Sequence, residues 1–251
     1  LLVRKGDREA GLKVLQMMEP GAQRSTLEAQ AAVISAGSSG PAHHGGFWTR
    51  DLRRPILLAF LIAFFNQLSG INAILYFAPR IFELTGLGTQ AALLQSVGIG
   101  ITNLIFTFVG LWLIDRLGRR TLLYIGSFGY IASLGLVSWA FYTGHFAIVP
   151  VCIFAFIAAH AVGQGAVIWV FISEIFPNRI RGAAMSVAVT SLWLACFILT
   201  ITFPVLNKHL GPAGTFGLYA GICVAGFLFI LARLPETKGK TLEEIEHELV
   251  D

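Results

Sequence analysis

The chain of 251 residues is 55% apolar and 12% aromatic but only 13% charged, with a mean hydropathy of +0.73. That is more hydrophobe than one water-exposed core of this length can hide, which excludes an ordinary soluble domain and makes lipid the solvent for the excess. The net charge of +4 is distributed so unevenly that it reports membrane topology and gives no reason to invoke nucleic acid as a partner.

The first residue is Leu, and the opening stretch LLVRKGDREAGLKVLQMM is charged and amphipathic rather than a signal peptide, so a chain cut from a longer one is expected. Within it Val3, Leu12, Val14, Leu15, Met17 and Met18 recur at helical spacing. Residues 35–46, SAGSSGPAHHGG, read as a flexible connector. His43 and His44 adjoin without a third ligand, so a solvated linker is expected there and no metal site.

Crossing hydrocarbon takes roughly 20 consecutive mostly apolar residues in a helix, because every backbone group must be satisfied internally. Six segments qualify, residues 55–77, 91–114, 121–143, 146–172, 183–206 and 214–233. They are too long and unbroken for barrel strands of about ten residues. The fold class expected is an all-α membrane protein: residues 1–54 as cytoplasmic amphipathic helices and linker, 55–234 as six transmembrane helices, and 235–251 as a cytoplasmic C-terminal helix. In that last segment, LPETKGKTLEEIEHELVD, a turn signal precedes a cap at Thr241 with Glu244 three residues on.

Arg50, Arg53 and Arg54 precede the first span, and Arg116, Arg119 and Arg120 follow the second. Arg179 and Arg181 follow the fourth, and Arg233, Lys238 and Lys240 follow the sixth, whereas the alternate connections hold only Arg80 and Lys208. The positive-inside rule then puts both ends of the chain in the cytoplasm, in a plasma or bacterial inner membrane. Cys152, Cys196 and Cys223 lie in three different spans without ligand spacing, as free buried thiols.

The first span carries Asn66, Gln67, Ser69 and Asn72 around Gly70. A lone amide in a span is usually interhelical glue. Four polar groups in seven residues beside a helix-weakening glycine instead suit a discontinuous helix whose loosened backbone faces a water-filled cavity near the bilayer midplane. Asn103 lies mid-span in the second segment, and Trp169 ends VGQGAVIW, where Gly163 and Gly165 allow the fourth span to bend. Amides and an indole are what a neutral polyhydroxylated ligand needs, and no Arg or Lys sits mid-span to hold an anion. His160 reads as a hydrogen-bonded packing residue more readily than as a proton relay. No catalytic constellation stands out, so no enzyme activity and no cofactor are expected. At the arginine-rich end, Glu174 sits among Phe171, Ile175 and Phe176, where topology signals give no reason for an acid, and it calls for an arginine partner.

NQLSGINAILYFAPRIF, DRLGRRTLL, SEIFPNRIRG and PETKGKTLEEIE resemble, in order, four signatures of the C-terminal half of the sugar porter family of the major facilitator superfamily. The resemblance covers essentially the whole chain and implies helices seven to twelve of a twelve-helix carrier, with the opening stretch matching the intracellular helices that link the halves. It implies sugar contacts at Gln67, Asn72, Asn103 and Trp169, with Asn66 in place of a family Gln and one methylene shorter. Tyr76 falls at the outer-gate aromatic, and Asp115, Arg116, Arg119, Arg120, Glu174 and Arg181 at an inward gating network of salt bridges. Two departures are visible: Gln164 and Ala166 stand in the family's proline-rich approach to the tryptophan, and Leu192 where many members have Asn or Gln. The implied function is alternating-access transport of a monosaccharide or similar polyol. The implied partners are the sugar, the bilayer, the missing N-terminal six-helix half and a coupling proton if the carrier is a symporter. The alternative is a non-transporting membrane sugar sensor, which would be expected to carry a long tail beyond the ten or so residues after Thr241.

Overall fold

A computed structural model of the protein describes residues 8–19, 21, 23–39, 53–176 and 180–239. Val3, the His43–His44 pair, Arg50, Arg179, Lys240 and the Thr241–Glu244 cap lie outside the described residues. The chain divides into two compact units, Leu1–Gly46 and Phe47–Asp251. In the first, α1 (Arg8–Met18) and α2 (Arg24–Ser39) pack on each other, burying Leu27 and Ala31 and leaving Val14, Met17 and Met18 exposed.

The second unit is a bundle of long apolar helices. The first span is split into α3 (Arg53–Leu68) and α4 (Ile71–Glu83). α5 (Thr89–Leu117) and α6 (Arg119–Thr143) follow, separated by Gly118 alone. The fourth span opens with a 3₁₀ turn, Phe146–Ile148, and runs through α7 (Val149–His160), a π-helical turn Ala161–Gly165, and α8 (Ala166–Glu174). Gly163 and Gly165, expected to bend this span, lie within the wide turn. The last element, α9 (Arg181–Arg233), has 53 residues. At about 1.5 Å per residue that is roughly 80 Å of helix, far beyond a hydrocarbon layer of about 30 Å. Gly211, at φ 68° and ψ 173°, breaks it in two, so five apolar stretches supply the six expected spans. The loop expected over residues 207–213 shrinks to this one residue, because Gly can turn the chain out of one helix and Pro212 can begin the next.

Two apolar layers hold the bundle together. One gathers Ile56 to Ala63 of α3, Leu122 and Leu123 of α6, Val167 to Ile172 of α8, Leu192 and Ile230. The other gathers Ile71 to Phe82 of α4, Tyr130 to Ala140 of α6, Val149 to Ile157 of α7, Leu199, Phe203 and Phe216 to Cys223. Between the two layers lie the buried polar residues Asn66, Gln67 and Ser69 on the first span, Ser127 on α6 and Gln164 on the π turn, whereas Ser133, Ser191 and Thr215 are buried among the layers' own residues. This belt sits mid-span, where a polar group costs most and so must be satisfied by neighbours or by a cavity.

Candidate functional site

The break between α3 and α4 is built by Gly70, which sits at φ 91° in the left-handed region. Tyr219 from α9 covers it so closely that a Cβ there would lie 2.7 Å from the Tyr219 ring. Ser69 Oγ donates to the Asn66 carbonyl at 2.6 Å, and the Gly70 N–H to the Gln67 carbonyl at 3.2 Å, so the last turn of α3 is tied off locally. Glycine is required here both for the dihedral and for the space.

Across this break, Asn72 Nδ2 donates to Gln67 Oε1 at 2.6 Å and lies 3.1 Å from Cys196 Sγ on α9. The pair uses only one edge of each amide. Gln67 Nε2 and Asn72 Oδ1 have no hydrogen-bond partner among the described residues, and neither is among the fully enclosed unpaired atoms. A donor and an acceptor side by side are the pattern that adjacent hydroxyls satisfy. Tyr76, one turn along α4 from Asn72, is 54% exposed.

Asn66 takes a different direction. It is 7% exposed, its Oδ1 is unpaired, and it lines a cavity of about 30 Å³ with Ser69, Ser127, Tyr130 and Gln164. Gln164 Nε2 donates to Ser127 Oγ at 2.8 Å, while its Oε1 also goes unpaired. Consecutive residues on a helix point about 100° apart, so Asn66 and Gln67 face different neighbours on α3. The cavity has room for one or two waters and the unpaired oxygens to hold them, but not for a sugar. Asn103 and Trp169 are half-buried, and neither the Asn103 amide nor the Trp169 indole N–H has a partner among the described residues. Trp169 packs against the layer that holds Ile168 and Ala188. The structure thus joins Gln67 with Asn72 directly, leaves Asn103 and Trp169 with unused polar edges on α5 and α8, and sets Asn66 apart. His160 is bonded through Nδ1 to the Tyr130 hydroxyl, in keeping with the packing role expected of it.

At the arginine-rich end, Arg119 at the start of α6 clasps Glu174 at the end of α8. Nε lies 3.1 and 3.2 Å from the two carboxylate oxygens, and Nη2 2.7 Å from Oε1. Arg119 Nη1 also reaches Asp115 at 3.1 Å. The Arg119 and Glu174 side chains are 14% and 20% exposed, whereas Asp115 is 82% exposed, so the first pair is the stronger of the two. Thr237 Oγ1 donates to Glu174 Oε2 at 2.6 Å. Arg116 stacks on Trp112, its Cζ 3.9 Å from the ring centre, and Arg120 is bonded to the Tyr124 hydroxyl. Arg181 reaches the Phe176 carbonyl at 3.4 Å and its Nε is unpaired; among the described residues it meets no carboxylate.

Sequence reasoning missed Glu236 and Thr237. Glu236 accepts the backbone N–H groups of Arg119 at 3.1 Å and Arg120 at 3.2 Å, satisfying two orphan donors at the N-terminus of α6. Lys238 Nζ donates to the Arg116 carbonyl at 2.6 Å. The PETKG turn therefore staples the end of α9 to the junction of α5 and α6. An acid just after an arginine-rich span end was the available signal.

A family model described as Sugar (and other) transporter matches residues 1–249. The chain belongs to this family. Its relatives include the D-xylose-proton symporter of Escherichia coli K12, 39% identical over 198 residues, which is 76% of this chain and 40% of the relative. The glucose facilitated diffusion protein of Zymomonas mobilis is 34% identical over 252 residues, 98% of this chain and 53% of the relative. Among solved structures, that of the proton:xylose symporter XylE bound to 6-bromo-6-deoxy-D-glucose superposes with a TM-score of 0.83 at 32% identity, covering 99% of this chain and 53% of that one. The chain spans about half the length of these relatives. It is an integral, multi-pass membrane protein of the all-α major facilitator architecture.

Proposed function

We propose that this chain forms one half of an alternating-access carrier for a monosaccharide or similar polyol, with an N-terminal six-helix half as the opposite wall. The observation that carries the reading is the Gln67–Asn72 pair, which spans a helix break between two apolar layers and keeps one donor and one acceptor unused. Asn103 and Trp169 supply an amide and a flat apolar face from α5 and α8. No bond is made or broken in the sugar, whose hydration is exchanged for these groups while the two halves rock about it. Arg119, Glu174, Asp115 and Thr237 form the inward gate, with the arginine-rich end in the cytoplasm, and the network opens and closes once per cycle. The names of the relatives fit both proton symport and facilitated diffusion, and the coupling acid would belong to the other half.

The test is uptake of labelled glucose and xylose into liposomes. This polypeptide alone should give none above background, and the complete carrier should transport. Gln67→Ala or Trp169→Ala should then cut kcat/KM at least tenfold, while Asn66→Ala should have a smaller effect on sugar affinity. Equal uptake by wild type, Gln67→Ala and Trp169→Ala would refute the assignment.

A further inference from the structure

A second cavity lies far from the amide belt, between the first turns of α3 and the last turns of α9. It measures about 690 Å³ and is lined by Arg54, Arg120 and Arg233 together with Leu57, Leu61 and Phe229. No acidic residue is among the described residues that line it. The nearest acid in sequence, Glu236, is committed elsewhere, since its oxygens accept four backbone N–H groups at 3.0 to 3.2 Å. Arg54 and Arg233 are exposed and have no partner among the described residues, and Arg120 uses its guanidinium on the Tyr124 hydroxyl and, at 3.4 Å, on the Leu231 carbonyl. Contrast Arg119, fully engaged by two carboxylates.

Charges that serve only to orient a protein need no cavity and no apolar wall. Here the wall is graded. Leu61 is seven residues along α3 from Arg54, about 10 Å deeper at the helical rise, and Phe229 is four residues from Arg233, about 6 Å deeper. Cations therefore sit at headgroup level and Leu and Phe at acyl depth, in a volume typical of a small-molecule site, which runs from about 300 to 1,000 Å³. The N-terminus of α3 adds the positive end of its dipole. A soluble phosphate would use the arginines but not Leu57, Leu61 and Phe229; a neutral lipid would use the apolar wall but leave the guanidinium groups unmatched.

We propose that this cavity binds an anionic phospholipid, its phosphate held between Arg54, Arg120 and Arg233 and its acyl chains lying along Leu57, Leu61 and Phe229. The lipid bridges the antiparallel ends of α3 and α9. The orientation proposed above decides only which leaflet supplies it.

The experiment uses the complete carrier, delipidated in neutral detergent, with binding read by native mass spectrometry and by the shift in apparent Tm. Phosphatidylglycerol should bind and stabilise, whereas phosphatidylcholine and inorganic phosphate should do neither. Arg54→Gln with Arg233→Gln should weaken phosphatidylglycerol at least tenfold, while the charge-matched control Arg80→Gln with Lys208→Gln at the opposite ends of the helices should not. Equal binding of phosphatidylcholine, or stabilisation by inorganic phosphate alone, overturns the proposal, and these wild-type arms stand even if the double variant fails to fold. So does binding that emerges only after residues 241–251 are deleted, which would make that acidic segment the occupant. Sugar plays no part in these readings, so their failure is separate from failure of the transport assignment.

Discussion

Replacing Gly70 with Ala tests whether the helix break is held by its backbone geometry and by the ring that covers it. At φ 91° an alanine costs about 1–2 kcal/mol in left-handed strain. Its Cβ would also stand 2.7, 3.1 and 3.2 Å from three carbons of the Tyr219 ring. That ring is 3% exposed and stacks on Phe203 with centroids 6.4 Å apart, so it has no room to swing away. Overpacking of this kind adds about 1–3 kcal/mol, for a total of about 2–5 kcal/mol. Gly86 provides the comparison: its φ is 89°, but a Cβ there meets nothing within 4 Å, so Gly86→Ala carries only the strain. Gly135, inside α6 with open space beside it, should gain about 0.5–1 kcal/mol as Ala. At about 2–4 °C per kcal/mol, the apparent Tm in detergent should fall by about 4–20 °C for Gly70→Ala and about 2–8 °C for Gly86→Ala, and should rise slightly for Gly135→Ala. A Gly70→Ala protein that melts no lower than Gly86→Ala would refute the reasoning.

Glu174→Gln removes the carboxylate that clasps Arg119 in a pair only 14% and 20% exposed, and should cost about 1–3 kcal/mol, between the surface and fully buried limits. Asp115→Asn, at a side chain 82% exposed, should cost under about 1 kcal/mol, and thermal melts of the two variants check the order. Glu236→Ala unties two amides at the start of α6 and should cost about 0.5–2 kcal/mol. Its specific sign is faster hydrogen exchange at the Arg119 and Arg120 amides, and unchanged exchange there would contradict the capping role.

The spans were legible because hydropathy in runs of this length has few other solutions, and the break at Gly70 and the wide turn at Gly163 were legible because glycine marks them. The last loop was overestimated, since composition alone does not reveal that Gly211 and Pro212 turn the chain within a single residue. In the sequence Asn66 and Gln67 are neighbours in one polar cluster, set apart only by the shorter Asn66 side chain. Only packing, with Cys196 and Asn72 on one side and Ser127, Tyr130 and Gln164 on the other, separates their directions. The Arg119–Glu174 clasp could be expected from an acid with no topological reason to be there. The Glu236 cap could not be assigned, because its partner amides lie more than a hundred residues away and carry no side-chain signature.

The most direct measurement is water accessibility at the amide belt. In the complete carrier with Cys152, Cys196 and Cys223 replaced, single cysteines at Asn72 and Asn103 would be exposed to a charged, membrane-impermeant thiol reagent, alongside Ala63→Cys in the dry layer. The account predicts labelling at Asn72 and Asn103, slowed by saturating transported sugar, and none at Ala63. Absence of labelling at both amide positions, or labelling indifferent to sugar, would contradict it.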